Sequence, residues 1–263
     1  MPEPIFVVDA FAERPFAGNP AGVCLLTAPR PDAWMQQVAA EMRHAETAFL
    51  LREGAVWRLR WFTPAVEVDL CGHATLASAH LLREQGLAKD GDTIRFATRS
   101  GELRAVARED GVEIDLPLAP ATECAAPAGL AEALGVSIVR FGTGCGYGIA
   151  EVKAERDVRA ASPDFRRLAS IPPAGVAVTA RSDDARFDFV SRFFAPALGI
   201  DEDPVTGSAH CTLVDWWSRA LGKTSLVAHQ VSARGGVLRV RAEGGRALLA
   251  GRAVTVLRGE MAV

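Results

Sequence analysis

Residues 71–77 read CGHATLA and residues 206–212 read TGSAHCT. Both segments follow one pattern, a small residue, glycine, a polar residue and alanine, and both run straight into an apolar stretch. From Ala74 to Leu82 only Thr75, Ser78 and His80 are polar; from Ala209 to Leu221, tryptophans and leucines fall on nearly every face of a helix. A helix that is apolar all round is a buried helix. The chain therefore reads as two buried helices, one in each half, each entered through a glycine.

Around each helix lie short runs of valine, leucine, isoleucine and phenylalanine, bounded by turn formers, which are the mark of strands. In the first half they are Ile5–Val8, Gly22–Leu26, Thr47–Leu51, Val56–Phe62, Thr93–Ala97, Leu103–Ala107 and Val112–Leu116, with helices over Asp32–Met42, N-capped by Asp32, and Ala74–Gln85. An Ala/Pro-rich linker, Pro117–Pro127, follows. The second half repeats the scheme with strands at Ser137–Thr143, Gly146–Val152, Gly175–Thr179, Phe187–Phe194, Ser225–Ser232, Val237–Ala242 and Ala247–Leu257, and helices over Ser162–Ser170 and Ala209–Leu221. The order is mixed rather than a regular alternation of strand and helix, so the class is α+β. Two pseudo-symmetric lobes are expected, residues 1–120 and 121–263, with the final strand free to return to the first lobe and a cleft between the lobes.

Composition narrows the function. The 263 residues are 49% hydrophobic with a formal charge of −3, and no lysine/arginine run is long enough to track phosphates, which argues against a nucleic-acid partner. No apolar run reaches the roughly 18 residues of a membrane span, and no charged-then-apolar leader opens the chain. A cytoplasmic protein acting on a small molecule is expected. The five cysteines are odd in number and never spaced C-x-x-C, which suits reduced thiols. Only three lysines stand among 29 basic residues, a bias expected of codon usage in a GC-rich bacterial genome.

The first amides of a helix lack internal partners and carry the positive end of its dipole, so they attract anions. Gly72 and Gly207 would let a ligand approach that backbone; alternatively the glycines only permit close packing, and His73 and Ser208 are ordinary caps. Glu46 precedes an apolar strand, where burial would favour proton transfer, unless it is simply paired with Arg43. Asp203, fixed by Pro204, is placed to hold a ligand, whereas Glu202 reads as a complement to the helix dipole. Cys71 and His73 supply two metal donors and no linear motif completes a set, so no metal is expected. Their two-residue spacing does not place the imidazole on the sulfur, which weakens a cysteine nucleophile. Gly142–Gly146 lacks the spacing of a dinucleotide loop, and no cofactor is expected.

Taken together, these segments resemble the PhzF family of phenazine-biosynthesis-like isomerases. The matching stretches are Asp9-Ala10-Phe11, Phe16–Val23, Glu46-Thr47-Ala48-Phe49, Trp61-Phe62-Thr63-Pro64, Val68–Thr75, Arg192–Pro196 and Asp203–His210, in family order along the chain. The resemblance implies a diaminopimelate-epimerase-like fold, with a curved, barrel-like sheet around a central helix in each lobe. It also implies cofactor-free proton transfer, with Glu46 as acid/base assisted by His73 and Asp203. Asn19, Gly72, Gly207 and Ser208 would bind a small carboxylate-bearing substrate, and a homodimer is expected. Arg43-His44-Ala45 departs from the family's usual Asn-Leu-Ser before Glu-Thr, which bears on the substrate. Two rival readings share the fold. One is a cysteine-dependent racemase or epimerase of amino acids, disfavoured because Thr206 stands where a second thiol is needed. The other is a non-catalytic carboxylate-binding protein.

Overall fold

The computed structural model describes residues 2–262. These form two compact units, one comprising the residues through Leu116 together with those from Ala250 onward, the other Pro117–Leu249.

In the first unit, β1 (Glu3–Ala10) and β2 (Asn19–Leu26) make an antiparallel hairpin with Ala10 opposite Asn19. The crossover helix α1 (Asp32–Met42) leads to β3 (Thr47–Glu53), parallel to β2, and β4 (Val56–Phe62) returns antiparallel to β3. β5 (Glu67–Val68) extends the β4 ladder and leads into α2 (Gly72–Glu84). β6 (Thr93–Thr98) then lies parallel to β4, followed by β7 (Gly101–Arg108) and β8 (Gly111–Pro117) in antiparallel order.

The second unit opens with β9 (Thr122–Glu123), which pairs with β10 (Ile138–Gly144) and is joined to it through α3 (Leu130–Leu134). From there the plan of the first unit recurs. β10 and β11 (Tyr147–Val152) are an antiparallel hairpin; α4 (Glu155–Ala160) and α5 (Phe165–Leu168) fill the crossover; β12 (Val176–Arg181) is parallel to β11 and β13 (Phe189–Ala195) antiparallel to β12. β14 (Ile200–Asp203) extends β13 and leads into α6 (Gly207–Leu221). β15 (Ser225–Gln230) is parallel to β13, and β16 (Gly236–Glu243) and β17 (Arg246–Gly251) follow. The last strand, β18 (Ala253–Met261), belongs to the first unit and pairs antiparallel with β1.

Both central helices are buried, as their composition requires. Ten of the thirteen residues of α2 are buried, and the helix packs against β1, β2, β3, β7 and β18. Its small residues let those strands come close, and its two buried hydroxyls bond within the helix, Thr75 to the Cys71 carbonyl (2.5 Å) and Ser78 to the Ala74 carbonyl (2.7 Å). Each fully buried leucine, Leu76, Leu81 and Leu82, contributes about 1.5–3 kcal/mol. Helix α6 carries larger side chains and ties them down: Trp217 donates to the Thr179 hydroxyl (3.0 Å), Trp216 to Glu151 (2.8 Å), and Phe189 stacks against both His210 and Trp217.

Four local expectations are corrected. Asp32 is the first helical residue rather than the N-cap, which is Pro31, and its carboxylate goes to Arg60 (2.7 Å). The helix expected over Ser162–Ser170 shrinks to Phe165–Leu168, and α3 and α4 were not anticipated. The single strand expected over Ala247–Leu257 is two, broken at Arg252, whose carbonyl accepts the Ala12 N–H (3.0 Å). Helix α2 starts two residues early, at Gly72.

Candidate active site

The entrances of α2 and α6 are alike in backbone and in what they lack. The N-caps are Cys71 and Thr206, both extended, neither bonding the helix through its side chain, and no acidic residue occupies either first turn. His73 and Ser208 are second helical residues, so neither is a cap. The first intrahelical bonds are Thr75 N–H to Cys71 O (3.2 Å) and His210 N–H to Thr206 O (3.3 Å), which leaves three earlier amides at each end to meet a ligand.

In the first unit, strand β3 places Glu46 just before its first residue, with the Glu46 carbonyl accepting the Gly22 N–H (3.2 Å). Its side chain, 15% exposed, brings Oε2 to 3.3 Å from His73 Nε2. Nε2 nonetheless makes no hydrogen bond. On the other side of the ring, His73 Nδ1 lies 3.5 Å from Cys71 Sγ. The thiol, imidazole and carboxylate therefore stand in a row, with ligand atoms all within 4.8 Å of one another. Burial first, and the charge of His44 second, push the His73 imidazole down to about 4, so it is neutral at neutral pH. Arg43 sits in the left-handed conformation that closes α1, its N–H on the Ala39 carbonyl (3.2 Å). Asn19 is fully buried at the start of β2. Next to it the chain turns through Phe16, which has φ +67° and is 74% exposed, and whose N–H bonds Asp9 (2.7 Å).

In the second unit, Asp203 is buried and its Oδ2 accepts the Thr206 hydroxyl (2.5 Å). Thr206 therefore donates its hydroxyl proton to a buried carboxylate. Gln230, from β15, holds the same turn from three sides. It accepts the Thr206 N–H (2.9 Å), donates to the Asp203 carbonyl (2.7 Å) and approaches the Thr206 hydroxyl (3.3 Å). Glu202 is not a dipole complement, because both its oxygens are held by Arg192 (2.8 Å each). Ser208 is half-buried in the first turn of α6.

The structure brings Glu46 and His73 together and adds Cys71 to them, a grouping that spacing alone left open. It brings Asp203 and Thr206 together and adds Gln230, which no motif announced. The only sequence signal for Gln230 is a polar residue ending an apolar strand.

This doubled unit, a mostly antiparallel sheet around a buried helix, matches the fold of the proline racemase and diaminopimelate-epimerase-like proteins. A hydroxyproline epimerase of Agrobacterium vitis shares this fold with a TM-score of 0.61 at 15% identity, over 99% of this chain and 92% of that one. Within that class the chain belongs to the phenazine biosynthesis-like PhzC-PhzF family, whose model matches residues 8–259, and it is an isomerase. An uncharacterized isomerase of Pseudomonas aeruginosa is 49% identical over 97% of this chain and 96% of its own length. The crystal structure of a PhzF-family phenazine biosynthesis protein from Enterococcus faecalis superposes with a TM-score of 0.95 at 40% identity, covering all of both chains.

Proposed function

We propose that this isomerase moves a proton between two carbons of a small carboxylate-bearing substrate, with Glu46 as the single acid/base. The observation that supports this reading most is the Glu46 carboxylate at 3.3 Å from a buried, neutral His73 at a helix entrance. A neutral imidazole does not fix a negative charge on Glu46 as a cation would, so the carboxylate is able to take a proton and give it back.

In the proposed reaction Glu46 removes a carbon-bound proton, and the electron pair of that C–H bond moves into a system conjugated with the substrate carboxylate. The protonated Glu46 then delivers the proton to a second carbon. His73 is proposed to orient the substrate or relay the proton beside Glu46, and the helix-start amides at Gly72 to stabilise the developing charge. Asn19, Asp203, Gly207 and Ser208 are proposed to bind and orient the substrate. The chain is further proposed to work in the cytoplasm as a homodimer.

A screen of cyclic and linear amino and hydroxy carboxylates in deuterated water, read by proton NMR, tests the reading. Exchange or migration at carbon is expected for at least one class, and Glu46→Gln is expected to slow it by roughly 10²–10⁴-fold. Full turnover in Glu46→Gln would overturn the assignment.

A further inference from the structure

From the row of Cys71, His73 and Glu46 we infer a binding site for a thiophilic divalent ion, zinc in the first instance, that takes the carboxylate proposed for proton transfer out of action. The three donors come from two separate places in the chain, the entrance of α2 and the foot of β3, and their ligand atoms all lie within 4.8 Å of one another. A tetrahedral zinc ion needs donors about 2.0–2.3 Å from the metal, so the three side chains must close in on the ion.

The chemistry of the set selects the metal. One thiolate, one imidazole and one carboxylate suit zinc or cobalt, whereas magnesium and calcium prefer oxygen alone. Three protein donors leave a fourth position for water, the open pattern of zinc sites that exchange ligands. Nε2 of His73 is buried and makes no hydrogen bond, so an ion there gives it a partner, at the cost of the Cys71 contact with Nδ1. Glu46 keeps 15% of its side chain exposed, which gives the ion a way in.

Binding displaces one proton, from the Cys71 thiol to solvent, and the charge of the ion is then balanced by one thiolate and one carboxylate. With one oxygen on the metal and its negative charge offset by the ion, Glu46 becomes a much weaker base toward a carbon-bound proton. The inhibitory half of the inference rests on the proposed role of Glu46; the binding half does not.

Cobalt(II) is the probe for binding, because a thiolate ligand gives charge-transfer absorption in the near ultraviolet and a tetrahedral site gives intense visible bands. The full chain is used in a Cys124→Ser, Cys145→Ser background, which removes the two exposed thiols. Both sets of bands are expected at one ion per chain, with zinc displacing cobalt. Cys71→Ser is expected to abolish the charge-transfer band, and His73→Gln and Glu46→Gln each to weaken binding by at least roughly 10–100-fold, the loss that even an outer-shell partner causes. Circular dichroism of each variant confirms that it is folded. Absence of the band in the background protein, its survival in Cys71→Ser, or unchanged affinity in both other variants would overturn the site. Zinc that binds but leaves deuterium exchange intact would overturn the inhibition and the role of Glu46 while the site stands. Zinc that does not bind a protein with Glu46-dependent exchange would overturn the site alone.

Discussion

Gln230 does at the entrance of α6 what a capping side chain would do, but from a strand 24 residues away. Its amide satisfies the Thr206 N–H and the Asp203 carbonyl, so the turn carrying the buried Asp203 is held in one conformation. Gln230→Ala removes both partners and leaves the Thr206 N–H buried and unpaired, which costs about 1–3 kcal/mol. The expected outcome is a lower urea midpoint with an unchanged m-value, together with a raised KM and a nearly unchanged kcat, because Asp203 is proposed to hold substrate. A purely structural role would lower the midpoint and leave both constants alone. Gln230→Glu keeps the acceptor but sets a buried carboxylate against the Asp203 carbonyl, and is expected to be at least as destabilising as Gln230→Ala.

At the scale of elements, the turn between β1 and β2 is the most constrained in the first unit. Gly18 has φ +64°, and a Cβ there would overlap the Ala10 carbonyl oxygen. Gly18→Ala therefore meets both the left-handed penalty of about 1–2 kcal/mol and a steric clash that only movement of β1 or β2 relieves. A lower melting temperature and a reduced kcat/KM are expected, the second because Asn19 follows directly; a variant with the parent's melting temperature would contradict the geometry. Elements with a strong pattern of their own were legible in the sequence: α1 has the expected bounds, and α2 and α6 are buried helices entered through glycine. What failed was fixed at a distance. Helix α4 is rich in charge, and its Glu155 is anchored by Ser182 and the Asp183 N–H, more than twenty residues on. The break between β17 and β18 comes from Phe11 against Gly251 and from Ala12 on the Arg252 carbonyl, contacts no local window contains. The site divides in the same way. Glu46, His73 and Asp203 stood out in the sequence by type and setting, but the approach of Glu46 to His73 across 27 residues depends on the register of β3, and Gln230 has no motif.

For the whole molecule, burial of neutral histidine predicts acid lability in each unit by itself. His73 in the first unit and His210 in the second are both pushed down to about 4, in each case chiefly by burial. His80 and His229 are lowered as well, by burial. For His210 the cause is visible: Nδ1 faces the Thr206 carbonyl at 2.8 Å and so carries the proton, while Nε2 is buried without a partner against Phe189. Protonating Nε2 would bury a charge. The unfolded chain titrates near 6.5, so between about pH 6.5 and 4 it binds more protons than the native state, and stability falls as pH falls. The slope is about 1.4 kcal/mol per pH unit for each such histidine, about 3 kcal/mol across the window, a large share of the 5–15 kcal/mol that holds a typical domain. The lowered carboxyls of Glu3 and Glu155 act further down, where their stabilisation, present above their ordinary range, is lost as they protonate. Urea midpoints at pH 7.5, 6.5, 5.5 and 4.5, as values chosen to bracket these transitions, are therefore expected to fall already above pH 5. His210→Leu gives up one hydrogen bond at every pH but is expected to flatten the slope of stability against pH by about 1.4 kcal/mol per pH unit. An unchanged slope in that variant would mean that His210 is charged in the native protein, and the buried, neutral imidazole would have to be abandoned.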